Sequence, residues 1–186
     1  MNRMSFLSNV ENPRDKREAN MSDPFVSRAK FPDGYIENPK SLLSWQEVEQ
    51  RLVTAKNYWL GSVHPDQRSH AVPVWGVWLQ GRFYFDGSPQ TRHARNIFNN
   101  PAIGVHLESG DEAVILEGVC RMLSQPPIAL TEPVAQAYRD KYTRFGYSPQ
   151  ADQWDGGGLF EVTPGKVLAW THFTVDPTRF MFENSG

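Results

Sequence analysis

From residue 45 onward the chain switches between two hydrophobic periods. Trp45, Val48, Leu52 and Ala55 recur at helical spacing, and Ser44-Trp45-Gln46-Glu47 ahead of them is a capping-box pattern, so a short amphipathic helix is predicted over residues 45–55. The period then drops to two. Residues 58–63 read as a strand, 64–67 as a turn, 69–79 as a second strand, Gln80-Gly81 as a tight connection and 82–86 as a third strand. Ser88-Pro89 then opens a helix, with Ser88 as N-cap and Pro89 in the first helical position. Ala94, Ile97 and Phe98 give that helix its buried face, and Asn99-Asn100-Pro101 ends it. Strands follow at 103–108 and 113–123 around the turn Ser109-Gly110-Asp111. Residues 126–142 form one helix, or two broken by Pro133, and Gly156-Gly157-Gly158 is a flexible turn. Strands at 159–162 and 166–173 flank the turn Thr163-Pro164-Gly165, and 179–182 forms a last short strand.

Residues 1–43 behave differently. They carry Pro13, Pro24, Pro32 and Pro39 among scattered charges, with no period, and read as an extended N-terminal arm able to order across a partner subunit. Residues 44–186 form the single domain. Six or seven short strands, mostly hairpin-linked, with a few helices between them, predict a mainly β protein built as a small antiparallel barrel.

Composition narrows the functions. A net charge of −2 gives no general attraction to nucleic acid or anionic membrane, so any anion site must be local. One cysteine, Cys120, excludes an intrachain disulfide and a thiolate-rich metal site. The five histidines, His64, His70, His93, His106 and His172, include no His-x-x-x-His pair, so no metal is expected. There is no Gly-x-Ser-x-Gly elbow, and no side chain is assigned as a catalyst. No apolar run is long enough to span a bilayer and residues 1–40 lack a signal-peptide core, which makes the cytoplasm the expected location. Six Trp, six Tyr and eleven Phe exceed what the length requires, and aromatics favour strands, interfaces and flat-ligand pockets alike.

The chemistry concentrates between Ser69 and Gly118. Ser69-His70-Ala71-Val72-Pro73-Val74-Trp75 is a strand interrupted by Pro, which places it at an edge or beside a gap. Phe83-Tyr84-Phe85-Asp86 closes a hairpin, and Thr91-Arg92-His93 stands in the first turn of a capped helix. Free N–H groups, the positive end of the helix dipole, a hydroxyl and a guanidinium together suit a phosphate there. A solvated helix with ordinary surface cations is the plainer alternative.

The order of these segments, followed by Asn100-Pro101 and Glu117-Gly118, resembles the FMN-binding split-barrel family, of which pyridoxamine 5′-phosphate oxidase is the best-known member. The resemblance covers residues 45–182. It implies a split antiparallel β-barrel, a homodimer with flavin at the subunit interface, and a flavin-dependent oxidoreductase passing hydride between FMN and a small organic substrate. It places the flavin ring against His70, Ala71, Val72, Pro73, Val74 and Trp75, and the ribityl chain near Tyr84, Phe85 and Asp86. The phosphate falls on Thr91, Arg92 and His93, while Trp170 and Arg179 complete the pocket from the partner subunit. His93 stands where the family usually has Lys. An 8-hydroxy-5-deazaflavin in place of FMN, or a non-catalytic flavin- or haem-binding relative with His172 or His70 as axial ligand, are the alternatives.

Overall fold

The computed structural model describes residues 23–36 and 40–183; the remainder of the N-terminal arm lies outside the described residues. In chain order the elements are β1 (Phe25–Arg28), α1 (Trp45–Thr54), β2 (Tyr58–Val63), β3 (Ser69–Val74), β4 (Gly76–Leu79), β5 (Arg82–Asp86) and α2 (Arg92–Asn99). Then come β6 (Ala102–His106), β7 (Val114–Leu123), α3 (Ile128–Tyr142), β8 (Leu159–Ala169) and β9 (Thr178–Met181). All strand pairs are antiparallel. The main path runs β1-β9-β8-β7-β6-β2-β3, and β4-β5 joins it through β8. The protein is therefore a split β-barrel, with β1, β3 and β4 each paired on one side only among the described residues. No helix among the described residues is long and apolar enough to cross a membrane.

The α1 capping box forms as its sequence requires. Ser44 N–H donates to Glu47 Oε2 at 2.9 Å and Glu47 N–H donates to Ser44 Oγ at 3.3 Å. Val48 and Leu52 point into the core. Ser44→Ala removes the side-chain acceptor of Glu47 N–H and the hydroxyl donor to Glu47 Oε2, so it should cost about 1 kcal/mol, a Tm loss of roughly 2–4 °C by thermal melt.

Five sequence expectations change. Residues 69–79 are two strands, because the chain leaves β2 at Tyr58↔Val74 and joins β5 at Gly76↔Phe85. The handover at Trp75 is held from outside the ladder. Tyr142 Oη accepts from Gly76 N–H at 3.0 Å, and Lys141 Nζ donates to Gly76 O at 3.1 Å. A change of partner does not disturb an alternating pattern, so the sequence hides it.

The turn expected at Thr163-Pro164-Gly165 is instead the middle of β8. β5 pairs with residues 159–162 of β8 and β9 with 166–169, so Pro164 sits in the gap between them, where its missing N–H removes no bond. β7 absorbs the irregularity with a register shift between Glu117 and Gly118.

α2 begins later than Ser88. Ser88-Pro89-Gln90-Thr91 is a turn closed by Thr91 N–H to Ser88 O at 3.1 Å, with Pro89 in the position such turns favour, and Thr91 is the true N-cap. Phe98 is then 52% exposed, and His93, Ala94, Asn96 and Ile97 form the inward face. α3 is a single helix that carries Pro133 inside it. Within the arm, Phe25–Arg28 is a strand lying on β9, which the absence of period did not suggest.

The main core lies between the strands and α1. A second cluster, built from Val77, Tyr84, Val134, Tyr138, Tyr142, Trp154 and Leu159, packs α3 onto β4 and β5. Cys120 is buried, and burial pushes its thiol up to about 12, which makes it an inert core residue.

Candidate functional site

The N-terminus of α2 faces the tip of the β2–β3 hairpin. Thr91 Oγ1 accepts from Ala94 N–H and donates to Ser88 O at 2.9 Å. His93 Nε2 lies 3.0 Å from Thr91 Oγ1, within hydrogen-bond distance. His93 is only 9% exposed. Burial, and then the charge of His70, lower its pKa below the ordinary imidazole value. His64 and His70 stand edge-on with ring centroids 5.7 Å apart. Burial, followed by the charges of Arg68 and Arg92, lowers His64 likewise. Two elements thus bring His64, His70, Arg92 and His93 to one corner. Arg92 and Arg95 are exposed and neither has a carboxylate partner among the described residues. The first turn of α2 holds no acid.

The inward His93 has a measurable consequence. Because its folded pKa is depressed, the unfolded chain takes up the proton first as pH falls. Its contribution to stability is full above about 6.5 and declines as pH drops below that value toward the folded pKa. His93→Gln should flatten this part of the profile, read as urea midpoints at mildly alkaline and mildly acid pH. An unchanged acid slope would mean that the ring is free to protonate in the folded protein.

Gly87 connects this corner to a cleft. A Cβ at Gly87 would meet His93 Nε2 at 3.8 Å, and Gly87 N–H donates to Gly158 O at 3.0 Å. Gly158 has φ +95 and its own Cβ would fall 3.1 Å from Gly87 O, so the Gly156-Gly157-Gly158 segment is a shaped turn beneath the site. The cleft, of about 500 Å³, is walled by Pro73, Val74 and Trp75 on one side and Asp86, Gly87 and Tyr147 on the other. Trp75 is stacked on Tyr142, with centroids 4.8 Å apart and 14° between planes. Asp86 Oδ2 accepts from Tyr147 Oη, from Trp154 Nε1 at 3.3 Å and from Gln153 Nε2 at 3.4 Å. Burial raises its pKa above the ordinary value, and the Tyr147 and Trp154 bonds oppose that rise.

The expected residues divide among several places. Pro73, Val74, Trp75 and Asp86 meet in this cleft. His70 and Ala71 line another of about 500 Å³ on the β2-β3-β6-β7 face, with Ser62, Gly104 and Gly118. Val72 packs against the core. Tyr84 and Phe85 are core residues: Tyr84 Oη donates to Glu161 Oε2 at 3.1 Å, and Phe85 stacks on Phe160 at 4.9 Å. Thr91, Arg92 and His93 form the corner described above. Trp170 and Arg179 stand apart from both clefts in this chain. Trp170 Nε1 donates to Gly110 O at 3.3 Å, and Arg179 Nε donates to Ser27 Oγ at 3.1 Å. Sequence reasoning missed Asn57, Gly87, Tyr147, Gln153 and Trp154. Only Gly87, next to the hairpin's closing Asp86, carried a local signal; Asn57 precedes β2, and Tyr147, Gln153 and Trp154 come from the segment after α3, the last two within a short 3-10 turn.

A family model described as pyridoxamine 5′-phosphate oxidase matches residues 44–171. No curated protein sequence matches the chain. Among solved structures, a conserved hypothetical protein from Mycobacterium tuberculosis superposes with a TM-score of 0.59 at 19% identity, over 72% of this chain and 88% of that one. An FAD-binding protein from Mesorhizobium loti does so at 0.52 and 17% identity, over 76% of this chain and 96% of that one. An F420 reductase gives 0.50 at 20% identity, over 63% of this chain and 94% of that one. At such identities the structural likeness speaks for the fold alone.

Proposed function

Because the chain belongs to the pyridoxamine 5′-phosphate oxidase family, we propose that it binds a flavin, FMN in preference to other forms, and acts as a flavin-dependent oxidoreductase on a small organic substrate. The observation that carries this reading is the corner at the N-terminus of α2. Arg92, with no carboxylate partner among the described residues, and a capped helix start stand beside His93, which borders Gly87 at the edge of a cleft large enough for a flat ligand. This donor set fits a phosphate. Helix N–H groups and a guanidinium favour a dianion, and no carboxylate on α2 competes for it.

Arg92, Thr91 and the helix start would hold the phosphate, and the Pro73–Trp75 edge with Gly87 would flank the ring system. A bound flavin supplies the redox step, taking a hydride from the substrate or returning one. The chain's own residues bind, orient and exclude water. Trp75 and Tyr147 wall the cleft, and Pro73 stiffens the edge strand. Asp86 keeps a proton at its carboxyl more readily than an exposed acid does. Hydride transfer requires no dedicated acid or base, and Asp86 is the one carboxyl among the residues that line this cleft.

The purified protein should be yellow and fluorescent, or become so on titration with FMN, with one flavin per chain. A sharp red Soret band, or absorbance at shorter wavelength than FMN, would replace this reading with haem or deazaflavin. The functional unit is a cytoplasmic homodimer with flavin between subunits, and Trp170 and Arg179 reach the partner's site. Exposed Val119 and Phe98, 56% and 52% open, support a further surface to be covered. Light scattering on the flavin-loaded protein at micromolar concentration should give twice the chain mass; a loaded monomer would overturn the dimer.

A further inference from the structure

A cleft of about 560 Å³ opens between α1, β4 and α3. Val53, Val77, Trp78, Leu79 and Ala137 give it apolar walls, and Lys141 lies along it. The Lys141 ammonium is half-buried. Nζ donates to Tyr58 Oη at 2.7 Å and to Gly76 O at 3.1 Å, and stands 4.9 Å from the Tyr58 ring centroid. All of these partners are neutral. Two carboxylates also line the cleft, but both are engaged elsewhere. Glu49 Oε1 accepts from Trp78 Nε1 at 2.9 Å and Asp140 Oδ1 accepts from Gln136 Nε2 at 2.6 Å; neither forms an ion pair with Lys141.

A half-buried ammonium with no counter-ion is costly, and proteins ordinarily pair such groups. Burial lowers Lys141 to about 8, which reflects the same missing charge. Tyr142 and Gly76 explain why a residue sits here, since they build the β3–β4 handover, but an uncharged donor would serve that role. Among the described residues the charge itself has no carboxylate partner.

We propose that this cleft is a second small-molecule site, separate from the α2 corner, which takes a free organic carboxylate with an apolar body and uses Lys141 as its counter-ion. The apolar body lies on Val53, Val77, Leu79 and Ala137. Trp78, fixed by Glu49, forms the flat wall.

Isothermal titration with 3-phenylpropionate and with octanoate tests this on the full-length protein. At least one should bind saturably, and 3-phenylpropanol, of the same shape without charge, should bind at least tenfold more weakly than 3-phenylpropionate. Lys141→Met should remove that difference between acid and alcohol. Val53→Trp, a replacement at a position 41% exposed on α1, should block both ligands while leaving the melting temperature and FMN binding as in the parent. If Lys141→Met does not fold, Val53→Trp and the acid-to-alcohol comparison decide. Equal affinity for acid and alcohol, no binding of either acid, or unchanged binding to Val53→Trp each overturns the proposal. None of these outcomes depends on the flavin site.

Discussion

Gly118→Ala should be strongly damaging, costing about 3 kcal/mol and lowering Tm by about 6–12 °C. Gly118 sits on β7 at the register shift, opposite Pro164 of β8. A Cβ there would overlap the Thr163 carbonyl oxygen and lie 3.2 Å from both Thr163 C and Val162 Cγ1. The obstacle is backbone in the interior of an antiparallel ladder, so no rotamer change relieves it. Gly110→Ala is the control, since nothing lies within 4 Å of its Cβ and Gly110 is in an exposed turn. The two melts should differ by most of that interval. Equal melts would mean that the bulge opens without cost.

Arg92→Ala should weaken FMN binding while leaving the fold intact. Losing one charge-assisted phosphate contact costs on the order of 1.5–3 kcal/mol, roughly tenfold to 150-fold in affinity. Stability should barely change, because Arg92 is exposed at the first position of α2, has no carboxylate partner among the described residues, and Ala is at home in a helix. Thr91→Ala should do the reverse in part. It removes the cap that Ala94 N–H and His93 share, so it should lower both stability and affinity. Fluorescence titration beside a thermal melt separates the two. An unchanged dissociation constant for Arg92→Ala would return Arg92 to an ordinary solvated cation.

The difference between these two positions also marks what the sequence could reveal. Local signals survived well. Ser44 and Glu47 found the start of α1, and Gln80 and Gly81, both at positive φ, made the tight connection their types suggest. Pro73 announced an edge strand, and β3 is one. What failed involved relations between distant segments. Pro164-Gly165 looks like a turn by any local rule, and only the gap between β5 and β9 lets a strand run through it. Ser88-Pro89 looks like a helix start, yet the backbone spends those residues on a turn. In the site, Arg92 and Asp86 were visible because they close motifs. Tyr147 and Trp154 were not, because they reach Asp86 from a segment more than sixty positions away whose own pattern is bland.

β8 has a consequence for how the chain is made. It is eleven residues long, lies near the end of the sequence, and is the sole connection of the β4–β5 hairpin to the rest of the sheet among the described residues. Until residues 159–169 leave the ribosome, β4–β5 has no sheet to join, and β7 lacks the neighbour that covers its full length. Helices α1 and α2 and the local hairpins can form early, but the joining step brings Phe83 to Val162 across most of the domain, a high-contact-order event that is slow. During that wait the apolar faces of β5 and β7 are open to other nascent chains. Yield and aggregation of variants should therefore track substitutions in the 159–169 window more closely than substitutions at the α2 corner.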